Sequence, residues 1–205
     1  MDQCKTAIDQ ADTNQEKGIT YKAFFDRYNK AKKAGYYLEC LWILYAMLED
    51  RTSAFLYYIG CTDNNNRLKV TGTKYVKFFL RDIFNMTKTS RYEFDTMHGK
   101  LKRIQQVIEW ARKGETDGSS YQRKLLEIIS KANEKPDFSA AIRYLDNTWR
   151  DKRNQLVHKL FKKNVNSAVS ELESLVEEGY NALRAFGIGV KRVKRFEVRK
   201  KFKIA

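Results

Sequence analysis

The sequence predicts an all-helical protein, and three observations carry that expectation. Its 205 residues include only 10 Gly and 1 Pro, too little turn punctuation for a many-stranded sandwich or barrel. Apolar residues recur at three- and four-residue intervals through most of the chain, the spacing that gives a helix one buried face. Hydrophobic residues make up 42% and aromatics 13%, enough to fill a sizeable core and to exclude disorder throughout. The length suits one helical domain over residues 20–187, with a lead-in at 1–19 and a basic tail at 188–205.

Residues 1–18 are acidic and poor in large apolar groups. Thr20 is a cap for a helix over 20–34 that buries Phe24, Phe25 and Tyr28 and turns Lys22, Lys30, Lys32 and Lys33 outward, with Gly35 as its stop. The next helix, 36–59, is apolar around most of its circumference, so it belongs at the centre of the fold or at a subunit interface. Glu49, Asp50 and Arg51 interrupt that surface, either as an ion-paired edge or as groups that orient functional side chains elsewhere. Three consecutive asparagines place residues 60–72 in a polar loop.

Helical patterns resume over 74–84 and 91–112, the second with Lys100, Lys102 and Arg103 on its outer face. His98 lies on that helix with no second His or Cys at ligand spacing, which makes it a structural or solvent-exposed histidine. The GETDG turn at 114–118 lacks the alternating oxygen ligands of a calcium loop. Ser119 or Ser120 caps a helix that stops before Pro136, and Asp137 caps the next, over 138–163. Asp146, Asn147 and Thr148 offer a second cap inside it; a break there would aim free N–H groups at a bound phosphate. Asn166 or Ser167 caps the last long helix, and Gly187 closes it.

The net charge of +15 points to a polyanionic partner. Residues 190–205 carry +7 of it, through Lys191, Arg192, Lys194, Arg195, Arg199, Lys200, Lys201 and Lys203 against one Glu. With Phe196 and Phe202 offered for stacking, this tail reads as a grip on nucleic-acid phosphates. Cys4, Cys40 and Cys61 are too few and too scattered for a disulfide framework or a zinc site, which suits a reducing cytoplasm. The N-terminus MDQCKTAIDQ has no apolar signal core, and the longest charge-free apolar run, Cys40 to Leu48, is far short of a membrane span. No cofactor, metal or membrane partner is expected.

The chemistry concentrates in WRDKRNQLVH, residues 149–158. Asn154 and His158, four apart, share a helix face, and Arg153 flanks them. Histidine exchanges protons near neutrality, and arginine stabilises negative charge on phosphorus. The bland alternative is a solvated helix surface.

The run Arg153-Asn154-Gln155-Leu156-Val157-His158 resembles the signature of the HEPN superfamily, the higher eukaryotes and prokaryotes nucleotide-binding domain, in which an Arg is followed by a His after four to six residues. Trp149 and Arg150 to Lys152 resemble the approach to it. The resemblance is close over about ten residues and extends over 20–187 only as an arrangement of helices. It implies a HEPN-like bundle whose motif helices pair in a homodimer with a composite cleft. It also implies metal-independent RNA cleavage, with His158 as general acid or base and Arg153 stabilising the phosphorane. Asn154 would orient substrate or His158, with Glu49, Asp50 and Arg150 as supporting groups. A toxin or antiviral defence role, with an antitoxin or regulatory partner, follows from the family alone. A tyrosine that partner enzymes modify in some family toxins is replaced here by Leu160. The competing expectation is a non-catalytic HEPN-like module that binds RNA or nucleotide, or another protein.

Overall fold

Helix α2, Tyr37–Tyr58, packs closely against three other helices in the computed structural model, which describes residues 14–62, 78–85, 96–134, 136–159 and 165–202. Expectations for Cys4, the asparagine loop, residues 91–95, Leu160 and Lys203 lie outside the described residues, as do the side chains of Asp137, Asn166, Ser167, Arg199 and Lys200. Among the described residues every regular element is helical. None of the helices is long and apolar enough to cross a membrane.

The remaining elements are α1 (Asn14–Lys33), a π-helical turn at Phe79–Ile83, α3 (Met97–Lys113), α4 (Ser120–Asn133), α5 (Pro136–Tyr144), α6 (Arg150–Lys159), α7 (Val165–Arg195) and a short α8 (Val198–Lys201). Helix α7 lies along α2, and α5 packs on both α7 and α3. Phe55 of α2, Phe138 of α5 and Phe186 of α7 meet with ring centroids 5.9–6.3 Å apart. Each ring contributes roughly 1.5–3 kcal/mol by leaving water. The trio therefore pins three helices at one point.

The expected cap holds at Ser119, and a cap that was not expected appears at Thr96. Ser119 accepts from the Gln122 amide at α4, and Thr96 accepts from the Gly99 amide at α3. The latter places the start of α3 at Met97, with Thr96 extended, so the helix does not run continuously from residue 91. Helix α1 begins at Asn14, not at Thr20, whose hydroxyl donates to the Glu16 carbonyl 3.0 Å away. A threonine inside a helix commonly folds back in this way, so its presence did not mark a start.

Two further expectations fail for packing reasons. Gly187 does not close the last helix; α7 runs on to Arg195. A Cβ at Gly187 would lie 2.5 Å from the Arg51 guanidinium, so this glycine admits a neighbour and does not end the helix. Val190, Val193 and Val198 are consequently core residues, and the start of the basic segment belongs to the bundle. Lys100 and Arg103 are likewise buried, not on the outer face of α3. Lys100 reaches Ser53 at 3.0 Å and Glu49 at 3.5 Å, and Arg103 bonds Gln106 and lies over the Phe84 ring. Burial and partners on α2 and beside it explain both positions.

Cys40 and Cys61 are free and buried. Burial pushes both thiols up, which keeps them protonated and inert at neutral pH.

Candidate functional site

No helix break occurs at Asp146 to Thr148. Helix α5 passes into α6 through a π-helical turn, Leu145–Trp149, that accommodates one extra residue without ending the rod. Trp149 fixes this turn: its ring is buried, and Nε1 donates to the Leu175 carbonyl of α7 at 3.0 Å. Gly179 on α7 makes room, since a Cβ there would fall 2.2 Å from that same nitrogen. The helix-start phosphate site expected here is therefore absent, because the N–H groups are engaged within the continuous rod.

Beyond the turn, α6 presents the motif to α2. Arg153, Asn154 and His158 line one cavity of about 240 Å³ with Leu38, Leu41 and Trp42. The Arg153 guanidinium lies 4.1 Å from the centre of the Tyr45 ring, which holds it by a cation–π contact. Its Nε and Nη2 donate to Asn154 Oδ1 at 3.2 and 2.6 Å. Asn154 thus orients Arg153. Three of the five guanidinium donors remain for other partners. His158 is exposed, and Trp42 beside it is 68% exposed.

The supporting residues go elsewhere. Asp50 accepts from the Tyr21 hydroxyl at 2.5 Å, and burial followed by that carboxylate pushes the phenol well above its ordinary pKa. Glu49 faces Lys100. Arg150 turns back along the helix and meets Asp146 at 3.2 Å.

That last contact exposes a cluster that sequence reasoning missed. Asp146 is only 3% exposed, and its Oδ1 lies 2.8 Å from His98 Nδ1, while its Oδ2 accepts from Gln105 at 3.2 Å. His98 itself is 53% exposed. In the sequence the polar run Asp146 to Thr148 reads as a cap and gives no sign of a pairing with His98.

Helix α2 serves as a ruler between these places. The His158 cavity reaches α2 at Leu38, Leu41 and Trp42, Arg153 lies over Tyr45, and Met97, next to His98, meets Thr52. Lys194 of the basic segment lies over Tyr58. At 1.5 Å per residue, His158 lies about 18 Å along the rod from Asp146, which His98 contacts, and its cavity lies about 24–30 Å along α2 from Lys194. The basic segment is thus remote from the motif within one copy. Lys191, Lys194, Arg195 and Lys201 are exposed, whereas Arg192 also donates to the Lys131 carbonyl. Phe196 and Phe202 are not free for stacking: Phe196 sits under the ammoniums of Lys124 and Lys131, and Phe202 packs edge-on against Tyr121.

Among the described residues no group of three His, Cys, Asp or Glu side chains could hold a metal ion. No protein-family model, no curated protein and no solved structure matches this chain.

Proposed function

We propose that this chain is a homodimeric, metal-independent endoribonuclease of the HEPN type. The observation that carries the proposal is the convergence of Arg153, Asn154 and His158 on one cavity, with the guanidinium fixed by Tyr45 and Asn154. A ribose 2′-oxygen attacks the adjacent phosphorus and the bond to the 5′-oxygen breaks. The products are a 2′,3′-cyclic phosphate and a 5′-hydroxyl. His158 exchanges the proton with one of the two oxygens, and the second copy's His158 serves the other. Arg153 offsets the charge that builds on the phosphorane.

The second copy is supported by Trp42 and Leu38, large apolar side chains left exposed at the same cavity. Pairing over them would exclude water and bring two Arg/His sets together. A toxin or defence role, and any neutralising partner, rest on the family resemblance alone.

Labelled RNA incubated with the protein in EDTA should yield cyclic-phosphate ends. Both His158→Ala and Arg153→Ala should lower the rate by roughly 10²–10⁴-fold while sedimentation still shows a dimer. Full activity in either variant overturns the assignment. Salt-sensitive binding without cleavage in the wild type would favour the non-catalytic module instead.

A further inference from the structure

A groove between α3 and α5 meets the His98 cluster at Gln105. A cavity of about 350 Å³ there is lined by Lys102, Gln105, Ser139 and Arg143, among others. Gln105 belongs to both features, since it lines the cavity and donates to Asp146. Lys102 is one helical turn beyond His98, so the two share a face of α3. Lys102 and Arg143 are exposed cations, and Glu109 is the one anion among the cavity's lining residues.

The Asp146 contact sets the chemistry of the imidazole. A carboxylate paired with Arg150 only accepts hydrogen bonds, so His98 Nδ1 carries the hydrogen. In the neutral ring Nε2 is then an acceptor, on the edge turned away from Asp146. An acceptor of fixed direction one helical turn from Lys102, joined through Asp146 and Gln105 to a cavity that Arg143 also lines, suits a hydroxyl beside phosphates. In nucleic acids that combination is the ribose 2′-OH in an RNA backbone.

We infer that this groove is a second RNA-binding site, in which Lys102 and Arg143 hold phosphates, His98 Nε2 accepts from a ribose 2′-hydroxyl, and Asp146 is the positioning residue. It takes its ligand class from the ribonuclease reading but is a separate place, with Asp146 about 18 Å from His158 along the rod. It distinguishes RNA from DNA without cutting either.

The two histidines of the chain make this testable by nitrogen NMR of the imidazoles. In wild type at pH 8, the His98 signals should show a protonated Nδ1 and an unprotonated Nε2; the opposite tautomer overturns the inference. In His158→Ala a single imidazole remains. Its Nε2 signal should move on adding a single-stranded oligoribonucleotide and stay in place with the 2′-deoxy oligonucleotide of the same sequence. Equal movement with both leaves a phosphate site only, and no movement removes the site; either result overturns the inference.

Asp146→Asn should mix the tautomers and erase the RNA preference, a change that lost stability alone would not produce. Lys102→Ala with Arg143→Ala should lower the salt slope of RNA binding by about 1.4, at about 0.7 per phosphate contact on a single strand. An unchanged slope counts against the groove. Wild type that fails to cleave RNA while His98 responds would sink the ribonuclease reading and leave this one standing. Cleavage with a silent His98 would do the reverse.

Discussion

The two histidines of this chain are set in opposite ways. His158 is exposed, and among the described residues no carboxylate is hydrogen-bonded to it; the order at its cavity belongs to Arg153, clamped between Asn154 and Tyr45. His98 is anchored on a buried carboxylate that also holds Arg150 and Gln105. Among the described residues, one site thus fixes the cation and the other fixes the imidazole. On the proposed ribonuclease reading, in which a second copy closes the cleft, a proton-transfer group can tolerate the first arrangement. A group that reads the direction of a hydroxyl needs the second.

Both sites hang on the same π-helical turn, so the largest expected effect should erase the contrast between them. Trp149→Ala removes a fully buried ring and its bond to Leu175, at a cost of about 3–5 kcal/mol in urea unfolding. Under native conditions the signals of both imidazoles should broaden. A response confined to one histidine would mean that the turn supports only that side. Asp146→Ala should act on one side alone. It leaves His98, Arg150 and Gln105 without their shared acceptor, for a loss of about 1–3 kcal/mol, while the His158 signal keeps its position. Asn154→Ala, at a half-buried helix position, should change stability by less than about 0.5 kcal/mol and register in RNA cleavage instead.

The contrast also explains what the sequence could reveal. Arg153, Asn154 and His158 fall within two turns of one helix, so helical geometry alone groups them. His98 and Asp146 are 48 residues apart, and only the packing of α3 against the π-helical turn joins them. The long amphipathic helices were legible because burial imposes their period. The lysine at 100 and the arginine at 103 were misplaced because a helical pattern does not reveal that α2 offers Ser53 and Glu49 to a long cationic side chain. Gly187 misled for a related reason. A glycine after an apolar repeat looks like a stop, and the Arg51 side chain that requires it is brought there from another helix.

A small predicted effect is the sharpest test of the first site. If Tyr45 holds Arg153 through its ring face, Tyr45→Leu removes a cation–π contact of about 0.5–1 kcal/mol while keeping apolar bulk. Misplacing the guanidinium by that much should slow RNA cleavage by about two- to fivefold. Tyr45→Phe keeps the ring and should cleave at the wild-type rate. Similar losses in both variants would assign the effect to the Tyr45 hydroxyl, and wild-type rates in both would show that Asn154 alone suffices to hold Arg153. The His98 signals should not move in either variant, because Tyr45 faces only the Arg153 side of the turn.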